Sequence, residues 1–275
     1  MPILLEGDLE YALPQMHAVR QTFLKPRLDR LEEHIEKELY RDDVSKKIKP
    51  GAKVAVAVGS RGIRNIDKIV RSVIEQIKNL GGVPFIVSAM GSHGGGTPNG
   101  QREVLRSYKI TEESMGVEVI TSVDVTHIGK TSRGIDIYFD TAALQADLVV
   151  PVNRVKLHTD FVADIQSGIC KMLVIGLGNH VGCTAVHEVN FDLFGETLLE
   201  GAQMIMERAH IGFGVAILEN ACDETALIEA IPSGKIIERE KELVRIAKDY
   251  MPTLMSPDID VLIVEEIGKN ISGAG

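Results

Sequence analysis

The stretch that most constrains the fold is KIKPGAKVAVAVG, residues 47–59. Pro50-Gly51 turns the chain, Lys53–Val58 is a Val-rich apolar run suited to a strand buried on both faces, and Gly59 ends it. Ile66, Ile69, Val70, Val73, Ile74, Ile77 and Leu80 then mark one helical face that stops at Gly81-Gly82, and a second apolar strand follows over residues 84–90. Strand, helix and strand in this order make a βαβ unit, which sets two parallel strands side by side. The pattern recurs in GSHGGGTPNGQREVLRSY, residues 91–108, a glycine loop leading into a helix with Thr97 as cap and Pro98 at its first position.

Strands are expected at 117–121, 135–139 and 146–152, a helix at 196–208, extended segments at 212–218 and 226–231, and a helix over Ile236–Tyr250. Upstream, Leu28, Leu31, Ile35 and Leu39 give an amphipathic surface helix. The alternation predicts an α/β fold, a largely parallel sheet flanked by helices, with any ligand site at the C-terminal edge of the strands. Residues 261–264 read as a fresh buried strand running into the glycine-rich GKNISGAG, which a βα unit cannot close. The expected division is therefore a domain over 1–257 and, over 258–275, the start of a second domain, missing or only begun.

Several classes are disfavoured. The apolar runs fall far short of the ~20 residues a membrane span needs, and MPILLEGDLEYALPQ lacks a basic leader followed by an apolar stretch. Three cysteines, Cys170, Cys183 and Cys222, do not make a disulfide framework, so a reducing, cytoplasmic setting is the default. A net charge of -9 with no Lys/Arg run argues against a nucleic-acid surface.

Two loops directly follow buried strands, GSRGIRN after Val58 and GSHGGGTPNG after Met90. Backbone N–H groups and helix N-termini at such places receive anions, so both loops stand where a phosphate would. Arg61 and Arg64 add fixed charge to the first loop, although neither loop has the spacing of a P-loop or a dinucleotide fingerprint. His93, among small residues, could face a cleft and exchange protons at neutral pH, or be merely exposed. Residues 153–187 crowd together His158, His180, His187, Lys156, Lys171, Cys170 and Cys183. No HExxH or CxxC spacing occurs there, so no standard zinc motif is present. Lys171 precedes the apolar MLVIGLG; burial there would lower its pKa and make the amine nucleophilic, whereas snorkelling would leave it an ordinary lysine.

With GSRGIRN, AMGSHGGGTPNGQ, NRVKLHTDF, SGICKMLVIGLG and the later His187 in this order, the chain resembles the nickel-dependent lactate racemase family, in particular its less characterised homologues. The resemblance implies a racemase or epimerase of a small 2-hydroxy acid, lactate-like or a sugar acid. It implies hydride transfer through a covalently tethered nickel pincer nucleotide, supplied by cofactor-synthesis proteins. It further implies Lys171 as the tether, His187 as nickel ligand, and His93 and His158 as the acid/base pair on opposite faces of the substrate. Arg64 resembles the arginine holding the cofactor phosphate or substrate carboxylate, and Ser60, Gly94 and Gly95 go with it to cofactor binding. His180, Cys170 and Cys183 then fall back to packing, and His17, His34, His127 and His210 to surface or packing roles. Departures are Arg61, where the family usually carries an Asp, and a His158-to-Lys171 stretch a few residues longer. The second domain's substrate-contacting Tyr/Gln/Lys segment is missing, and Lys269 does not replace it. Two rival readings are a zinc-dependent hydrolase or lyase using His93, His158 and His187, and a non-catalytic anion- or nucleotide-binding module.

Overall fold

In the computed structural model the described residues are 15–256 and 258–265. Eight strands occur among them: β1 Lys53–Val58, β2 Val83–Ser88, β3 Val119–Ile120, β4 Val125–Lys130, β5 Asp136–Asp140, β6 Leu148–Arg154, β7 Phe213–Glu219 and β8 Thr225–Pro232. Six form the main sheet in the order β3-β2-β1-β6-β7-β8, parallel throughout except for β8, which returns antiparallel to β7. β4 and β5 form a separate antiparallel ribbon.

The helices are α1 Leu31–Leu39, α2 Asp42–Ser45, α3 Ile66–Asn79, α4 Pro98–Ser107, α5 Glu112–Met115, α6 Thr141–Leu144, α7 Ile169–Lys171, α8 Asn179–His187, α9 Phe191–Arg208 and α10 Ile236–Tyr250. A π-helical turn, Met172–Gly176, follows α7 directly. Thr97 caps α4 through the Gly100 N–H at 3.2 Å, with Pro98 at the first position where its missing N–H costs nothing.

The alternation within β1 divides the core. Val54, Val56 and Val58 join Leu31, Ile35 and Leu39 of α1 and Ile69, Val73, Ile74 and Ile77 of α3 on one face. Each fully buried Val or Ile there contributes roughly 1.5–3 kcal/mol relative to leaving it exposed. Ala55 and Ala57 point the other way, into a cluster with α7, the π turn, α9 and α10. These small side chains let that layer approach closely. A Cβ on Gly176 would stand 2.7 Å from the Ala89 carbonyl oxygen, and the Gly91 N–H donates to the Gly176 carbonyl at 3.0 Å.

The α/β class and the largely parallel sheet are as expected, with three differences. The strand expected at 135–139 lies in the ribbon rather than the main sheet, because β4, a partly exposed partner with polar residues, pairs with it. The segment expected at 226–231 runs antiparallel at the sheet edge. Residues 261–264 form no strand: no neighbouring strand offers them backbone partners, and Val261 and Ile263 are 78% and 87% exposed. Residue 257, at the expected domain boundary, and GKNISGAG lie outside the described residues. Among the described residues no single helix is long and apolar enough to cross a membrane.

Candidate active site

The chain leaves β1 outward through β2 and β3 and leaves β6 in the opposite direction through β7 and β8, so the order reverses between β1 and β6. The crevice outside the carboxyl ends of two such strands is where open parallel sheets receive ligands. A cavity of about 300 Å³ opens there. Gly59, Ser60 and Arg61 line it after β1, Met90, Ser92 and His93 after β2, and Asn153, Arg154, Lys156 and His158 from the end of β6 onward. Lys171, Met172, Cys183 and His187 complete it from the helical layer.

Ser60 Oγ is hydrogen-bonded to Nδ1 of His93, and the Tyr108 hydroxyl donates to the Ser60 carbonyl at 2.5 Å. The first loop thus fixes the imidazole carried by the second.

His158 sits on a loop closed by a backbone pair, Lys156 N–H to Ser167 C=O at 2.8 Å and the reverse at 3.2 Å. Buried Gln166 accepts the His158 backbone N–H at 2.7 Å, and His158 Nδ1 accepts the Asp160 N–H at 3.2 Å. An accepting Nδ1 puts the proton of the neutral ring on Nε2. Burial, with the Lys171 charge behind it, lowers the His158 pKa to about 4, so the ring is neutral at physiological pH.

Lys171 is half-buried at the end of α7. Burial, then the charges of Arg61 and Lys156, bring its amine down to about 8. Its position is set from behind. The Asn153 amide donates to the Gly168 carbonyl at 2.7 Å, and Glu240 of α10 accepts the Cys170 N–H at 3.0 Å. A Cβ on Gly168 would lie 2.5 Å from Glu240 Oε1, so a side chain there would push that carboxyl out of place. Glu240 is fully buried, which pushes its carboxyl up to about 7. Burial and Glu240 together push the Cys170 thiol well above its usual range, so Cys170 is a packing residue.

His187 closes α8, and its Nδ1 lies 2.7 Å from the Cys183 carbonyl one turn earlier. Nδ1–H donating to a backbone carbonyl leaves Nε2 as the basic nitrogen, the arrangement typical of metal-bound histidines. The Cys183 side chain, 3.5 Å away, raises the His187 pKa. The Cys183 thiol is in turn lowered, since the His187 and Ser92 contacts outweigh burial. An aromatic ladder joins the two histidines: His158 to Phe161 at 4.4 Å, Phe161 to Phe194 at 5.0 Å and Phe194 to His187 at 5.2 Å between ring centroids.

Ser60, His93, His158, Lys171 and His187 are thus brought together, and Arg64, Gly94 and Gly95 are not among the residues lining the cavity. Arg64 lines a separate depression with Arg27, Glu32 and Lys68, while its backbone N–H donates at 2.6 Å to Glu219, the ion-pair partner of Arg154. Gly94 and Gly95 form the left-handed turn after His93. Of the two arginines in the loop after β1, Arg61 is the one on the cavity. Cys183, read from sequence as packing, also lines it; the signal was its four-residue spacing from His187, which means adjacency only once the segment is helical. Among the described residues no three His, Cys, Asp or Glu side chains are grouped to hold a metal by themselves.

The family described as the lactate racemase N-terminal domain matches residues 12–196. No curated protein matches the sequence significantly. Among solved structures, the lactate racemase apoprotein from Thermoanaerobacterium thermosaccharolyticum is similar, with a TM-score of 0.60 at 14% identity over 81% of this chain. The chain spans 57% of the length of that protein, and at this identity the likeness is one of fold.

Proposed function

The chain belongs to the lactate racemase N-terminal domain family, and from that premise we propose that it is the cofactor-carrying part of a racemase or epimerase that inverts a small 2-hydroxy acid. The observation that carries this reading is the convergence of Lys171, His93, His158 and His187 on one cavity at the switch point of the sheet. When bound, a nickel pincer nucleotide supplies the hydride acceptor that inversion at an unactivated C–H bond requires.

The residues fit such a group. An amine with a pKa of about 8 is partly neutral at physiological pH and so nucleophilic enough for a covalent tether. His187 offers Nε2 with its other nitrogen already engaged. Around that site the chain itself handles protons and orientation. Inversion requires the C–H bond to re-form on the opposite face of the planar keto carbon; as the keto group turns, its oxygen changes sides, so the hydroxyl proton leaves at one position and returns at another, which calls for two positioned acid/base groups. His93 is positioned by Ser60, and neutral His158 by Gln166 and Asp160, with the Asp160 N–H setting the His158 tautomer. Arg61 and Lys156 supply positive charge for the substrate carboxylate, and Phe161 and Phe194 pack against His158 and His187 and exclude water there.

The test is co-expression with cofactor-synthesis proteins, followed by intact mass, nickel content and racemisation of 2-hydroxy acids. The expected result is a nucleotide adduct on the wild type and none on Lys171→Ala. His187→Ala retains the adduct and loses nickel. His93→Ala and His158→Ala retain both and lose about 10²- to 10⁴-fold in turnover. An unmodified wild-type chain from a host that loads an authentic racemase would overturn the reading.

A further inference from the structure

The cavity holds more positive charge than one carboxylate can use. In a chain of net charge -9, Arg61, Lys156 and Lys171 all line it. Among the described residues none of these three has a carboxylate within ion-pair distance; Arg154, the fourth cation, is committed to Glu219. Asp160 is the one acid on the wall among the described residues; its carboxylate lies 3.8 Å from the neutral His158 ring, and its pull on Lys171, like that of Asp223 on Lys156, only partly offsets burial and the neighbouring cations. The cations also act on one another: after burial, Arg154 and Arg61 lower the Lys156 ammonium, and Arg61 and Lys156 lower Lys171. Unpaired like charges sharing a partly desolvated wall are costly, and an arriving anion removes that cost.

If Lys171 is consumed by a tether, two cations still remain, and a single carboxylate satisfies one. Arg61 brings a planar fork suited to carboxylate or phosphate, and Lys156 a point charge from the neighbouring strand end across the switch.

We propose that Arg61 and Lys156 form a subsite for a dianion, a phosphate monoester or the paired carboxylates of a dicarboxylic hydroxy acid, within the candidate active site. The subsite itself does not depend on the preceding section; only the assignment of its anion to a substrate or a nucleotide rests on that reading.

The experiment is calorimetric titration of the full chain without cofactor, at fixed ionic strength, with inorganic phosphate, malate and lactate. Phosphate and malate are expected to bind about tenfold more tightly than lactate, the worth of one added charge-assisted hydrogen bond. Arg61→Gln and Lys156→Gln each remove that advantage, bringing phosphate and malate affinity down to that of wild-type lactate binding, Lys156→Arg keeps it, and surface Arg133→Gln alters nothing. Equal binding of malate and lactate by the wild type overturns the proposal, as does undiminished dianion binding by the double variant with its melting temperature intact. Repeating the titration on cofactor-loaded protein separates the sources. Persistent preference for malate assigns the subsite to the substrate, and its loss together with phosphate binding assigns it to the nucleotide's phosphate. Failure of Lys171 to carry any adduct would defeat the racemase reading and leave the titrations without cofactor standing.

Discussion

The two faces of the main sheet draw on the same strands and are built differently. Toward α1 and α3, β1 presents Val54, Val56 and Val58, which meet Ile69, Val73, Ile74 and Ile77 in an almost wholly apolar layer. Toward the opposite layer it presents Ala55 and Ala57, and the groups buried on that side include Gln166, Asn179, Asp140 and Glu240. Asp140 accepts from the Ala143 N–H and from the Asn179 amide, Gln166 accepts from His158, and Glu240 accepts from Cys170. Buried polar groups of this kind cost stability unless held, and three of these four stand directly behind a cavity residue or the helix that carries it. One face supplies cohesion; the other trades cohesion for fixed positions.

Three measurements can break or sharpen that contrast. Ile74→Ala, on the apolar face, is expected to lose about 2–5 kcal/mol of unfolding free energy. The pH dependence of Lys171 labelling by an amine reagent stays as in the wild type, and a shift in that labelling would show that the faces are not separable. Glu240 gives the converse case. Its folded pKa of about 7 lies above the ordinary 4.5, so the native state holds a proton that the unfolded chain releases. Stability from this group is complete below the unfolded value and is lost as pH rises toward 7, by about 3 kcal/mol. Urea unfolding at pH 5 and pH 8 should show that loss in the wild type and a much flatter response in Glu240→Gln; parallel curves would refute the assignment. The smallest effect, with no change of stability, is in the imidazole titrations. His158 should remain neutral down to about pH 4 while His187 titrates above its ordinary range, and coincident NMR titrations of the two rings would erase the distinction drawn between them.

Much of this was legible in the chain. Lys53–Val58 reads as a buried strand because its apolar run is bounded by Pro50-Gly51 and Gly59, and α3 reads as a helix because seven apolar residues share one face. Legibility failed where pairing rather than pattern decides. β4, VTHIGK, is half-exposed and carries no clean alternation. The segment MLVIGLG is apolar throughout, so periodicity cannot tell strand from helix, and the spacing of Cys183 from His187 means adjacency only once the segment after it is known to be helical. Arg61 and Arg64 stand three residues apart in one loop. Which of them faces the cleft depends on the path of the backbone, and that path is pinned by Glu219, 155 residues away.

The backbone pair between Lys156 and Ser167 bears on how this architecture can diversify. It makes the His158 segment a side loop whose two ends are clamped together before it begins, so its length is decoupled from the path that delivers Lys171. Doubling such a loop costs only about 0.6 kcal/mol in closure entropy. Insertions there can therefore reshape the His158 wall of the cavity while Lys171 stays in register, a route by which one scaffold can change the shape of its cleft without disturbing the helix behind it.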